Sequence, residues 1–172
     1  LTVMGSKSGG AGVARPDANL ILQNNIPVLI EYKWGVEQQV SNNKSGLDNS
    51  TKAVQNFADN GAIYYAKKSI ELENDFSEAI AIGVAGELGD GTLNVVNVNV
   101  YYVYSEKDTM VPKFVGTYHN FDFLNKSETD SFIKEARLND TDRAKALKLS
   151  LDTLKKSAKT LNKLMNNRAI SV

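Results

Sequence analysis

Residues 27–34 read PVLIEYKW, and this stretch decides how the rest of the chain is arranged. β-Branched, aromatic and other apolar residues fill it, the composition of a strand. Side chains alternate across a strand. Val28, Ile30, Tyr32 and Trp34 therefore share one face, and Leu29, Glu31 and Lys33 the other. The first is a core face. On the second, Glu31 and Lys33 stand roughly 7 Å apart along the strand and point the same way. An acid and a base set together on a core strand need a reason, either a surface ion pair or chemistry.

Toward the N-terminus, residues 18–23 form a second strand-like run, joined to the first by the turn-prone pair Asn24-Asn25. Arg15-Pro16-Asp17 comes just before that run, so Asp17 can lie beside Glu31 where the strands splay. Two carboxylates so placed suit Mg²⁺, which keeps several waters and binds through one or two carboxylates plus phosphate. A metal there acidifies a water and offsets charge on a phosphate. Lys33 would stabilise that charge or orient the attacking water. The plainer alternatives are a turn role for Asp17 and a surface salt bridge for Glu31 and Lys33.

Toward the C-terminus, residues 50–70 place Val54, Phe57, Ala58 and Ile63 at mostly helical spacing, with Gly61 expected to kink or divide the helix. Residues 78–85 and 93–104 read as strands. The second alternates Val96, Val98, Val100 and Tyr102 with Asn97, Asn99 and Tyr101, the signature of a half-buried strand. Asp90-Gly91 marks a hairpin turn between them. Helices follow from about Ser127. The expected architecture is α/β, a core over residues 1–126 with a helical C-terminal extension or connector over 127–172. No internal repeat is present.

Composition narrows the function classes. At 172 residues with 42% hydrophobic content, the chain fits one globular domain. It contains no run of 18 apolar residues, so no membrane partner is expected. With no cysteine, disulfides, thiol nucleophiles and thiolate metal sites are excluded. Residues 5–12 form a Gly/Ser-rich loop without the spacing of a Walker phosphate loop. Asn-x-Ser/Thr triplets begin at Asn43, Asn49, Asn125 and Asn139, and read as chance matches in a chain of bacterial, cytoplasmic character. The chain begins at Leu1 with no signal peptide, as an excised domain would. Net charge is zero but uneven: residues 143–168 hold eight bases and one acid, or +7, leaving −7 elsewhere. An acidic body is a poor non-specific DNA binder.

Arg15-Pro16-Asp17 followed by Ile30-Glu31-Tyr32-Lys33 resembles the PD-(D/E)xK motif of restriction-endonuclease-like nucleases. Residues 57–66 (FADNGAIYYA) and 76–84 (FSEAIAIGV) look like the N-terminal nuclease domain of fused restriction-and-methylation enzymes, type IIG or type I-like. The resemblance covers residues 12–104 well and the remainder loosely. It implies a mixed central sheet flanked by helices, and Mg²⁺-dependent endonuclease cleavage of double-stranded DNA. Asp17, Glu31 and Lys33 would be catalytic, with Asp17 and Glu31 holding the metal. It further implies downstream target-recognition and adenine-methyltransferase domains, whose motifs are absent here. S-adenosylmethionine, and ATP where it is used, would bind those domains and not this one. A transient dimer for cleavage belongs to the same expectation.

Two departures stand out. Many such nucleases carry a glutamate on a helix before the Pro-Asp segment, yet the 15 residues before Pro16 include no acid. Related nucleases also place a glutamine on the helix after the lysine, which makes Gln55 an accessory candidate. Its separation is longer than in the tightest pattern, and Asp59 stands where a tyrosine is often found. The contrasting reading is a non-catalytic interaction module that keeps a nuclease-like fold.

Other candidates have simpler readings. His119, the only histidine, lies far from the motif and reads as a surface or structural residue. Trp34 and the tyrosines at 64, 65, 101, 102 and 104 are expected to pack in the core rather than stack on bases. Ala144, Leu147, Leu151, Leu154, Ala158, Leu161 and Met165 alternate steps of three and four, the heptad seam of a long helix. The lysines fall on its other faces, which a solvated surface explains as readily as DNA contact.

Overall fold

A computed structural model describes residues 3–4, 13–73, 75–89, 92–138 and 140–169. The chain divides into two compact units, Leu1–Ala136 and Arg137–Val172. The first is a mixed α/β unit. Two short strands, β1 (Val3–Met4) and β2 (Val13–Ala14), pair antiparallel by themselves. A hairpin of β3 (Ala18–Ile21) and β4 (Pro27–Trp34) follows. Asn25 in its turn takes a φ of 62°, a left-handed conformation that asparagine tolerates.

Between β4 and the next long strand lie a small hairpin, β5 (Asn42–Asn43) with β6 (Gly46–Leu47), and two helices, α1 (Thr51–Asn56) and α2 (Ala58–Leu72). Ser50 caps α1, its side chain accepting from the Ala53 N–H at 3.2 Å. The break between the helices falls at Phe57, whose backbone is extended, and not at Gly61, which lies inside α2.

Three long strands complete the sheet: β7 (Glu78–Gly89), β8 (Thr92–Glu106) and β9 (Thr109–Tyr118). The sheet order is β3-β4-β7-β8-β9, with β4 and β7 parallel and the other pairs antiparallel. The Asp90-Gly91 turn lies outside the described residues. Strand β9 has no counterpart in the sequence reading. Its hairpin turns at Lys107 and Asp108, with φ of 49° and 63°. Both residues adopt the left-handed conformation that a tight two-residue turn demands, without the Asn-Gly pair that usually signals it. Pro112 also counts against a strand, but β9 is an edge strand, where a missing N–H can face outward.

The two faces of the sheet differ in the size of their side chains. On one face Val28, Ile80, Ile82, Val98 and Val100 pack with Phe132 and Ile133 of α3 (Thr129–Arg137). Ile80 and Ile82 are fully buried, each worth about 1.5–3 kcal/mol relative to exposure. On the other, β7 presents Ala79 and Ala81 to Ala62 and Ala66 of α2, with Leu29, Ile63 and Val103 filling the layer. Small residues on both partners let the helix backbone approach the sheet closely. That close approach brings the start of α2 down onto β4 and β7, where the charged residues are.

The second unit contains one long helix, α4 (Asp140–Ala169). Leu151, Leu154, Leu161 and Met165 of its seam are exposed. Among the described residues, no helix is long and apolar enough to cross a membrane.

Candidate functional site

The alternation along β4 delivers Glu31 and Lys33 to the face covered by α2. Leu29 belongs to the α2-facing cluster, while Val28, Ile30 and Tyr32 pack on the opposite side. Trp34 does not join the core: it is 57% exposed and lies edge-on to Tyr32, with ring centroids 4.9 Å apart. The strand runs out of covering structure before it reaches Trp34. Tyr65 and Tyr102 are buried as core residues should be.

Asp17 immediately precedes β3, where Ala18 pairs with Ile30, so the register carries Asp17 opposite Glu31. Its Oδ2 accepts a hydrogen bond from the Tyr32 backbone N–H at 2.9 Å. The side chain thus continues the hairpin ladder one step after β3's own backbone pairing has ended. Lys33 Nζ donates to Glu31 Oε1 at 2.6 Å. Glu31 is 7% exposed, and its second oxygen, Oε2, is buried with no hydrogen-bond partner. Burial pushes the Glu31 carboxyl above the ordinary range, against the pull of Lys33 and with a push from the Asp17 charge. A buried carboxylate oxygen without a donor is costly, and a cation or ordered water would relieve it.

Helix α2 closes over this group at Gly61. A Cβ there would lie 2.9 Å from Glu31 Cγ and 3.0 Å from the Val54 carbonyl oxygen. Only a glycine lets the helix sit this low. Gln55 is the next residue of α1 after Val54 and is half-buried. His119 is exposed just beyond β9.

A second polar cluster lies beside the first and was not anticipated from the sequence. In the sheet register, Glu31 of β4 pairs with Gly83 of β7, Gly83 with Asn99 of β8, and Asn99 with Thr117 of β9. These four positions form one row, its members about 4.8 Å apart. Asp59, in the first turn of α2, drops its carboxylate onto Gly83 and is completely buried. Its Oδ2 accepts from Asn99 Nδ2 at 2.8 Å and from the Tyr101 hydroxyl at 2.7 Å. Its Oδ1 accepts from Gln39 Nε2, which also donates to the Gly83 carbonyl at 3.0 Å. Thr117 Oγ1 donates to Asn99 Oδ1 at 2.7 Å and extends the chain of bonds.

Burial raises the Asp59 carboxyl above its ordinary range, and the bonds from Asn99, Tyr101 and Gln39 oppose that rise. The Tyr101 hydroxyl is held strongly protonated by burial and by the Asp59 charge, which suits it to donate. The sequence offered one usable hint, Gly83, a residue without a side chain inside an apolar strand, which signals close backbone approach.

Among the described residues, no three His, Cys, Asp or Glu side chains gather closely enough to hold a metal by themselves. The available donors are the two carboxylates of Asp17 and Glu31. That set fits a hard cation taking the rest of its shell from water and phosphate.

The first unit is therefore a mixed α/β fold in which strand β4 carries a buried carboxylate and a lysine, with the exposed Asp17 beside them just before β3. A curated protein similar to this chain is the type II restriction enzyme and methyltransferase RM.BcgI of Heyndrickxia coagulans. The two are 32% identical over 78 residues, 45% of this chain and 12% of that protein. The chain thus matches a small fraction of that relative's length. No family model matches the chain, and no solved structure matches it significantly.

Proposed function

We propose that this chain is the nuclease part of a bacterial restriction-modification enzyme, with a restriction-endonuclease-like fold, hydrolysing phosphodiester bonds of double-stranded DNA with Mg²⁺. The observation that carries the reading is the convergence of Asp17, Glu31 and Lys33, with one buried Glu31 oxygen left unpaired. The similarity to a restriction enzyme and methyltransferase supports it. Target recognition and methylation, with S-adenosylmethionine, would then belong to other parts of the working protein.

Each residue has a distinct task in this reading. Asp17 and Glu31 would hold the metal, which offsets charge on the scissile phosphate. Asp17 presents its carboxylate from a ladder position fixed by the Tyr32 N–H. Glu31 approaches from the buried side, its backbone paired with Gly83 of β7. Lys33 is bonded to Glu31 Oε1 with its side chain 19% exposed, and from there it would meet a phosphate oxygen arriving from the solvent side. Its ammonium would stabilise charge developing on that phosphate. Gln55 would border the same phosphate from α1.

The test is Mg²⁺-dependent cleavage of plasmid DNA by the intact protein and by two variants. Asp17→Asn keeps an oxygen able to accept the Tyr32 N–H but removes the charge, and Lys33→Ala removes the ammonium. Each is expected to lower cleavage about a hundredfold or more while the circular dichroism spectrum is unchanged. Cleavage that survives both changes overturns the reading.

A further inference from the structure

The chain's positive charge is concentrated in one element. Residues 143–168, all within α4, hold eight bases against Asp152 alone, a balance of +7 that leaves −7 for the rest. At 3.6 residues per turn, the positions of Lys145, Lys148, Lys155, Lys156, Lys159 and Lys163 fall within about 100° of the helix circumference. Lys155, Lys156 and Lys159 are exposed. The leucine seam occupies a separate arc, and Ser150, Thr153, Ser157 and Thr160 fall on the third. One face therefore carries six lysines from Lys145 to Lys163, about 27 Å along the axis, with Asp152 as the one acid among them.

We propose that this face of α4 binds the phosphate backbone of duplex DNA, neutralising phosphates without reading bases. The choice of DNA as the polyanion rests on the nuclease reading above. Duplex DNA offers about one charge per 1.7 Å of its axis, so a 27 Å row of lysines meets phosphates along most of its length. Lysine is a flexible point charge suited to phosphate and poorly suited to base edges. Asp140 and Asp142 bring α4 as a whole to +5 and leave −5 outside it, so the net positive charge of this chain is that of α4.

A membrane surface fits the helix less well. Interfacial helices commonly set Trp or Phe among their leucines, and residues 140–169 contain no aromatic residue.

The experiment is fluorescence anisotropy of the whole protein on a labelled duplex of arbitrary sequence, between about 50 and 200 mM salt. The triple variant Lys155→Ala, Lys156→Ala, Lys159→Ala is compared with wild type. Alanine is the best helix former, so α4 keeps its conformation. Each lost phosphate contact lowers the slope of log affinity on log salt by about 0.9, so the slope should fall by nearly three. Arginine at the same three positions should restore it. An unchanged slope overturns the proposal, as does binding to phosphatidylserine vesicles without binding to DNA. Wild-type protein that binds with the full slope yet cuts nothing removes the nuclease reading and supports the α4 surface.

Discussion

The Asp59 carboxylate fills the space in which a side chain at Gly83 would begin. A Cβ on Gly83 would lie 2.0 Å from Asp59 Oδ1 and 2.6 Å from the Asp59 backbone nitrogen. The second distance matters more, because a backbone atom at the start of α2 cannot rotate away. Gly83→Ala must lift the helix off the sheet, and the expected cost is about 3 kcal/mol or more. Urea unfolding followed by circular dichroism measures it. A cost under about 1 kcal/mol would mean that α2 is not seated this closely.

The donors around Asp59 predict an unequal pair of substitutions. Both carboxylate oxygens accept bonds, from Gln39 on one side and from Asn99 and Tyr101 on the other. In Asp59→Asn an amide N–H₂ must face a donor whichever way it turns. The destabilisation should be about 1–3 kcal/mol despite the nearly identical shape. Tyr101→Phe removes one donor of three and should cost less. If the two losses were equal, the network would act only through volume.

Gly61→Ala tests the contact between helix and site. The added methyl meets Glu31 Cγ at 2.9 Å and the Val54 carbonyl oxygen at 3.0 Å. Crowding of about 1–3 kcal/mol is offset in part by alanine's better helix propensity, about 1 kcal/mol. Net stability should therefore fall only modestly, while Mg²⁺-dependent cleavage falls more than tenfold. In a Glu31→Ala background the stability penalty should shrink, because the atom being crowded is gone, and a double-mutant cycle reads the difference.

Glu31 predicts a pH dependence of definite sign. Its carboxyl is raised on folding, chiefly by burial, so the folded state holds that proton more tightly than the unfolded chain does. The resulting stability is present below the ordinary carboxylate range and is lost as pH rises through the raised value. At neutral pH the ionised group is a net cost. Glu31→Gln should then unfold at the same temperature as wild type or higher at pH 7, and the advantage should vanish near pH 4. Mg²⁺ binding measured by calorimetry should fall in the same variant. A variant less stable than wild type at pH 7 would show that the Lys33 bond outweighs the burial.

The legible and illegible parts of the molecule divide along physical lines. Strand β4 could be read because its period-two pattern is local and one of its faces is apolar. The Asp17–Glu31 juxtaposition followed from the short hairpin between them, since nearby strands pair. Strand β9 was hidden by Pro112 and by a turn made from Lys107 and Asp108, an uncommon pair for left-handed backbone. The break at Phe57 was hidden because a glycine four residues later offered a better-known reason for one. The Asp59 network joins residues 20, 40 and 42 positions apart in sequence. Asn99 alone looks like the polar side of a half-buried strand, and only the fold shows it facing a buried carboxylate. Trp34 was misplaced because alternation tells which way a side chain points and not where the covering layer stops.

The bond from the Tyr32 N–H to Asp17 is made by backbone on one side, so it is indifferent to the side chain at position 32. Every residue except proline supplies the same donor. The residue between the acid and the lysine is thus free to vary in chemistry while the two halves of the site stay in register. Selection on the opposite face of the sheet, where Tyr32 packs, can proceed without disturbing the carboxylates. Two demands that meet at one residue are separated by the peptide plane.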